Sequence, residues 1–136
     1  MTKKPVTLLI VDDDPDDREL FFEAVKEINP LNKCLEATNG EEALALLRAK
    51  NVACPDLIFL DLNMPRMGGR EFFNEMKKDK NFAHIPIVIY STSKRTEDVG
   101  EMKRLGALTF ITKPKTFEEI CSVVSSVIQQ NKLMTV

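Results

Sequence analysis

Five short runs rich in Val, Ile, Leu and Phe recur along the chain at nearly even intervals: Val6–Val11, Lys33–Ala37, Leu57–Leu60, Ile87–Tyr90 and Leu108–Thr112. The first, third and fourth read Val-Thr-Leu-Leu-Ile-Val, Leu-Ile-Phe-Leu and Ile-Val-Ile-Tyr, almost without interruption. Unbroken apolar runs of this length, bounded by polar residues, suit strands covered on both faces, as in a parallel sheet. The second and fifth runs mix polar with apolar positions, the pattern expected at sheet edges.

Between the runs the apolar spacing changes to that of helices. Asp14-Pro15 reads as an N-cap followed by a proline in the first turn, with Leu20, Ala24, Val25 and Ile28 on one face. That helix stops near Asn29-Pro30, because proline disfavours helical backbone in the residue before it. Asn39-Gly40-Glu-Glu opens a second helix carrying Ala43, Leu44 and Leu47. Gly69 to Asp79 gives a third with Phe72, Phe73 and Met76, and Thr96 to Leu105 a fourth, closed by Gly106 as a C-cap. Thr116-Phe-Glu-Glu has the form of a capping box and starts a fifth helix, whose face is Phe117, Ile120, Cys121, Val124, Val127 and Ile128. No linker, repeat or low-complexity tract interrupts the series. The tail from Asn131 to Val136 is expected to fray, with Leu133, Met134 and Val136 available for docking.

Strict alternation of strand and helix implies right-handed βαβ units, hence a parallel sheet with helices on both faces. Five such units make a doubly wound α/β sandwich. Ligands of these sheets sit beyond the carboxyl ends of the strands, at the topological switch point.

Composition supports one globular domain and narrows its partners. The chain has 136 residues, 43% hydrophobic and 29% charged, enough to bury a core without disulfide or metal. Nineteen Lys+Arg against 21 Asp+Glu give a net charge of -2, which excludes a broadly basic nucleic-acid binder. No apolar run approaches the roughly 20 residues of a membrane span. Met1-Thr-Lys-Lys-Pro is followed only by Val6–Val11 and then by an acidic cluster, so no signal peptide is expected. The odd set Cys34, Cys54 and Cys121 fits reduced thiols in a cytoplasm and offers no zinc spacing; Cys34 and Cys121 lie in apolar segments, as small core residues do.

The chemistry collects just after the strands. Strand one is followed by Asp12-Asp13-Asp14-Pro15-Asp16-Asp17, strand three by Asp61-Leu62-Asn63-Met64-Pro65, strand four by Ser91-Thr92-Ser93, and strand five by Lys113-Pro114. Taken singly, each has an ordinary explanation: a solvated helix cap, a turn, a polar strand end, a surface lysine. Taken together they gather three carboxylates, two or three hydroxyls and one ammonium in a shallow site. Carboxylates brought close repel and would raise one another's pKa, and a divalent cation removes the conflict. Hard oxygen ligands without Cys or His point to Mg2+, which keeps waters and accepts phosphate oxygens. An Asp carboxylate there can act as nucleophile toward phosphorus, with cation, lysine and hydroxyl sharing the charge of the transferring group.

These motifs, in this order over about residues 6 to 131, resemble the receiver domain of two-component response regulators. The segments Val11-Asp-Asp-Asp-Pro-Asp-Asp, Asp61-Leu-Asn-Met-Pro-Arg-Met-Gly-Gly-Arg-Glu and Ile85-Pro-Ile-Val-Ile-Tyr-Ser-Thr-Ser are similar to single-domain receivers of the cyanobacterial phytochrome-regulator type. The resemblance implies a flavodoxin-like (βα)5 sandwich with strand order 2-1-3-4-5. It implies that Asp61 is the phosphoacceptor and Asp13 a direct Mg2+ ligand. Asp12 would act on the cation through water, and the backbone carbonyl of Asn63 would be a further ligand. It assigns Ser91 and Lys113 to the phosphoryl oxygens, and Ser91 with Phe110 to the switch. Two departures stand out: Gly68 replaces an acidic residue common in the loop after the phosphoacceptor, and Phe110 leaves no Tyr hydroxyl for coupling. Every residue required for phosphorylation is present, against a degenerate pseudo-receiver.

The resemblance further implies a histidine kinase or phosphotransfer protein as donor, such as a phytochrome-like or hybrid kinase. The resembling region ends with the fifth helix and leaves no output domain. The signal is therefore expected to leave by protein contact, with a target protein, a homodimer or a further phosphorelay histidine. Neither nucleic acid nor membrane is expected as a partner, and hydrolysis of the acyl phosphate would reset the switch, tuned by Asn63 and Ser93. Two other functions use related chemistry. An Asp-nucleophile phosphohydrolase resembling haloacid dehalogenases needs a second Asp where Asn63 stands, and a cap that this length does not provide. A flavodoxin-like FMN carrier needs a hydroxyl- and glycine-rich phosphate loop after strand one, where Asp12–Asp17 would repel the phosphate, and only Tyr90 offers stacking besides Phe. His84 precedes strand four and is read as a surface residue. Lys94, Arg95, Lys103, Arg104 and Lys115 are read chiefly as a solvated basic face.

Overall fold

The structure is a computed structural model and describes residues 4–49, 51, 53–64, 66–92 and 96–131. Pro65, Ser93, Lys94, Arg95, Leu133, Met134 and Val136, which figure in the sequence reading, lie outside the described residues. Five strands alternate with five helices: β1 (Thr7–Val11), α1 (Pro15–Ile28), β2 (Lys33–Ala37), α2 (Gly40–Arg48), β3 (Leu57–Leu60), α3 (Gly69–Lys78), β4 (Ile87–Ser91), α4 (Thr96–Leu105), β5 (Thr109–Thr112) and α5 (Phe117–Gln130). All pairings are parallel, in the order β2-β1-β3-β4-β5, so the expected flavodoxin-like 2-1-3-4-5 sandwich is the fold observed.

Successive side chains of a strand point to opposite faces, and both faces of this sheet are covered. Leu9, Val11, Ile58, Leu60, Ile87 and Ile89 pack with Ala43, Leu44 and Leu47 of α2, Phe72, Phe73 and Met76 of α3, and Met102 of α4. Leu8, Ile10, Leu57, Phe59, Val88 and Tyr90 pack on the other side with α1 and with Ile120, Val124, Val127 and Ile128 of α5. Double coverage explains why β1, β3 and β4 read as continuous apolar runs: they are the three inner strands, buried at every position but Thr7. The edge strands β2 and β5 are mixed, as their sequences foretold.

Local signals set the helix ends. Asp14 caps α1 by accepting from the N–H groups of Asp16 (2.9 Å) and Asp17 (3.3 Å). Asn39 and Thr116 cap α2 and α5 by accepting from Glu42 N–H (2.9 Å) and Glu119 N–H (3.2 Å). Gly106 ends α4 with φ +107°, a left-handed backbone that glycine adopts freely.

The structure corrects two readings of packing. In α1 it is Phe21, not Leu20, that turns inward with Ala24 and Val25, while Leu20 is 40% exposed. The larger ring wins the inner position because it stacks against Phe59 and Tyr90, with centroids 4.9 and 5.7 Å away. Cys34 and Cys121 are only partly buried, at the margin of the α1–α5 side, and Cys54 is exposed. Burial, then the charge of Glu36, pushes the Cys34 thiol up to about 12, so it is an inert thiol. His84, Lys103, Arg104 and Lys115 are exposed, as read.

One glycine ties the helical layer to the end of β3. A Cβ on Gly69 would fall 2.5 Å from the Asp61 carbonyl oxygen and 2.7 Å from Leu62 Cα, both backbone atoms that cannot step aside. The first turn of α3 therefore rests directly on the peptide that follows β3. Gly69→Ala should destabilise the protein by about 1–3 kcal/mol, seen as a lower urea midpoint with unchanged slope. Gly100→Ala, inside α4 with nothing nearer than 3.9 Å, should instead stabilise it by about 0.5–1 kcal/mol.

Candidate functional site

The sheet ladder continues one residue past the strands and so fixes the backbone at the site. Asp12 N–H donates to Ala37 C=O at 3.0 Å, Asp61 N–H to Val11 C=O at 3.0 Å, and Lys113 N–H to Ser91 C=O at 2.9 Å. β4 runs one residue longer than its apolar run, so Ser91 sits in register opposite Thr112 on β5. Asp12, Asp61, Ser91 and Lys113 thus project from one edge of the sheet on four adjacent strands, the arrangement expected from the sequence.

Their side chains meet. Ser91 Oγ donates to Asp61 Oδ1 at 3.1 Å, and Asn63 N–H donates to the same oxygen at 3.2 Å. Lys113 Nζ lies 3.2 Å from Asp61 Oδ2, 2.9 Å from Asp17 Oδ2 and 2.7 Å from Asp12 Oδ2. The last contact is an ion pair outside the angles of a well-directed hydrogen bond, and it is the partner of an otherwise unpartnered buried oxygen. Asp12 Oδ1 accepts from Asp14 N–H at 3.0 Å. Asp12 and Ser91 are 0% exposed and Asp61 5%, whereas Asp13 is exposed. The site is a buried floor with an open acidic lip.

Electrostatics follow from that burial. The Asp12 carboxyl is raised above its ordinary value chiefly because it is buried; Lys113 and Asp14 N–H oppose the rise, and the like charge of Asp61 contributes least. Mutual repulsion, the cause expected from sequence, is therefore secondary to desolvation here. Burial by itself would lower Lys113, but its bonds to Asp12 and Asp17 and the charges of Asp12 and Asp61 outweigh that and raise it. The lysine is a permanent cation in the pocket.

Oxygens of Asp12, Asp13 and Asp61 all lie within 4.8 Å of one another. This donor set is anionic, hard and open on the Asp13 side, and it fits a small divalent cation that keeps part of its water shell. Asn63 follows Asp61 in an exposed loop. That loop is pinned by Gly69 N–H to Leu62 C=O (3.3 Å) and Gly40 N–H to Met67 C=O (2.9 Å). Gly68 N-caps α3 with no side-chain hydrogen bond, so the acidic residue it replaces is not substituted by another cap. Phe110 stands on β5 opposite Ile89, partly buried against the same apolar cluster as Met102 of α4. Thr92 is exposed and lines an open cavity of about 290 Å³ with Asp17, Thr112, Lys113, Pro114 and Lys115.

Three residues of this region escaped the sequence reading. Asp17 was legible only as one of several acids opening α1, yet it contacts Lys113. Arg18 donates to the Asp12 carbonyl at 2.9 Å and pairs with Glu36 at 3.4 Å. Arg70, in the first turn of α3, bridges to Asp98 and Glu101 of α4. An acid that faces the pocket and an acid that faces solvent look alike in sequence; only the rotation of the helix separates them.

Known proteins share this arrangement. The response regulator receiver domain matches residues 8–125. The phosphorylated cyanobacterial phytochrome response regulator RcpA is 31% identical with a TM-score of 0.83, each chain covered to 93%. The Mn(2+)-bound form of response regulator Rcp1 is 30% identical with a TM-score of 0.82, each chain covered to 97%. The probable C4-dicarboxylate response regulator DctR of Bacillus subtilis is 29% identical over 120 residues, and the match takes in 88% of this chain and 51% of that protein. The chain thus spans about half the length of DctR, but nearly all of the RcpA and Rcp1 chains. Neither the phosphohydrolase nor the flavin-carrier reading is favoured by any of these likenesses. With the match running through all four strand-end motifs, the chain belongs to the response regulator receiver domains of two-component signalling.

Proposed function

We propose that this receiver takes a phosphoryl group from the phosphohistidine of a histidine kinase or phosphotransfer protein onto Asp61, and signals through the changed protein contacts that follow. The observation that carries the reading is the placement of Asp61. Its carboxylate lies in the buried floor of an open pocket, with Ser91 and Lys113 against its two oxygens and Asp12 and Asp13 beside it. A carboxylate oxygen of Asp61 attacks phosphorus, the P–N bond to the donor imidazole breaks, and an aspartyl phosphate and free histidine result. The Lys113 ammonium and the Ser91 hydroxyl bind oxygens of the transferring group. Asp13, Asp61 and the Asn63 carbonyl would hold Mg2+ directly and Asp12 through water. When bound, Mg2+ offsets negative charge on the phosphoryl oxygens. The Mn(2+)-bound Rcp1 and the phosphorylated RcpA support a divalent cation and a phosphoryl group as ligands of this site.

The new phosphate adds about -1.5 to -2 charges where Lys113 and Ser91 already point. Ser91 precedes the β4–α4 loop, and Phe110 and Met102 share one apolar cluster, so a shift at Ser91 has a packed route to α4. Hydrolysis then resets the switch, and the reaction is one labelling per molecule, not turnover of a substrate. We read residues 1–136 as one receiver domain whose own surface contacts the target or a second copy. Three free cysteines suit a reducing cytoplasm. Among the described residues no helix is long and apolar enough to cross a membrane.

Incubation with acetyl phosphate and Mg2+ should add one phosphoryl group by intact-protein mass, and none to Asp61→Asn or to a chelated sample. Labelling of Asp61→Asn at wild-type stoichiometry would refute the assigned nucleophile. Asp13→Ala should weaken Mg2+ binding by about tenfold or more, and an unchanged titration would mean that the acids only cap α1. Amide spectra with and without a phosphoryl mimic should differ around Phe110 and α4; identical spectra there would remove the output route.

A further inference from the structure

Lys113 has three protons to donate, and three carboxylates surround it. Two of them, Asp12 and Asp61, belong to the cluster whose oxygens come within 4.8 Å of one another and of Asp13; Asp17 does not. A divalent cation in that cluster would draw the first two carboxylates to itself and repel the ammonium. Among the described residues, only Asp17 would then be left as a counter-charge for the lysine.

Asp17 is built for that task. Its backbone is locked in the first turn of α1, with its N–H on the Asp14 cap at 3.3 Å and the next N–H, of Arg18, on the Asp14 carbonyl at 3.0 Å. Its Oδ2 reaches Lys113 Nζ at 2.9 Å while its side chain stays 34% exposed at the pocket mouth, outside the buried floor. Lys113 is held from its own side by the hydrogen bond from its N–H to Ser91 C=O at 2.9 Å. The contact thus joins two fixed backbones, α1 and the end of β5, across the rim of the cavity that Asp17, Thr92 and Lys113 line.

We propose that Asp17 is a positioning residue: it keeps the Lys113 ammonium in the pocket once a divalent cation has engaged Asp12 and Asp61, and so keeps it available to the incoming phosphoryl oxygens. This rests on the reading of Asp61 as phosphoacceptor. The competing role for Asp17 is a favourable charge at the α1 N-terminus, and Asp16, exposed in the same turn, shares that role.

The test compares wild type, Asp17→Asn and Asp16→Asn, with thermal melting to establish that each is folded. At saturating Mg2+, the rate of phosphorylation by acetyl phosphate should fall about tenfold in Asp17→Asn and stay unchanged in Asp16→Asn. A second readout needs no phosphoryl transfer: the nitrogen-15 ammonium signal of Lys113 should persist in Mg2+-saturated wild type and vanish by solvent exchange in Asp17→Asn. A wild-type rate in Asp17→Asn, or a slowed rate with the ammonium signal intact, overturns the proposal. If wild type takes no phosphoryl group while the signal still depends on Asp17, the phosphoacceptor reading fails and the Asp17–Lys113 assignment stands.

Discussion

Lys113 is the cation on which the carboxyl edge of this sheet depends. Asp12, Asp17 and Asp61 come from β1, α1 and β3, and Lys113 from β5; their charged ends meet within 3.2 Å. Burying the Asp12 carboxylate completely is unfavourable, and one ammonium cannot balance three carboxylates. The pocket is left with an excess of negative charge that a hydrophobic replacement would not have. A charge excess of this kind is an instability held in place by the rest of the fold, and such sites concentrate where function requires them. What stabilises the chain lies elsewhere, in the apolar layers on either face of β1, β3 and β4.

The strand-end geometry follows from the parallel sheet. Parallel strands all end at the same edge, so residues far apart in sequence arrive together without any dedicated loop. Asp61 and Lys113 are brought together by ladder hydrogen bonds that extend one residue beyond each strand. Gly69 adds a rigid backing, since the backbone of α3 touches the peptide of Asp61 with no room for a side chain. Asp61 is therefore positioned by main-chain constraints, and its carboxylate accepts from Ser91 Oγ, Asn63 N–H and Lys113 Nζ.

Most of this was legible in sequence because the signals were periodic. Continuous apolar runs identified the three inner strands, and caps at Asp14, Asn39 and Thr116 marked three helix starts. Asp12, Asp13, Asp61, Ser91 and Lys113 could be gathered by topology alone, since each lies at the carboxyl end of a strand or within two residues of it. Helix faces were less legible. Leu20 and Phe21 are both apolar neighbours, and only the space beside Phe59 and Tyr90 decides which turns in. Asp17 was missed for the same reason: an angle of rotation about α1 separates a pocket residue from a solvated cap. The cause of the Asp12 shift was also misjudged, because like-charge spacing can be guessed from topology and burial cannot.

The fourth helix differs from the others in what holds it. Of its described hydrophobic side chains, Met102 is fully buried, whereas Leu105 is 39% exposed. The α3 helix by contrast buries Phe72, Phe73 and Met76 at 0% exposure. Arg70 of α3 pairs with Asp98 and Glu101 of α4; the Arg70 and Glu101 side chains are 42% and 40% exposed, and that of Asp98 is 12%. A pair as open as Arg70–Glu101 contributes about 0–1 kcal/mol, far less than a buried aromatic side chain. A helix tied by exposed charges can shift at low cost, while one anchored by two buried phenylalanines cannot. Arg70 follows Gly69, whose backbone lies against Asp61, so α4 is tied through one residue to the backbone at the end of β3. In the switch we propose, stiffness at Asp61 would fix where charge is added, and looseness at α4 would let a few kcal/mol of new interaction move a surface.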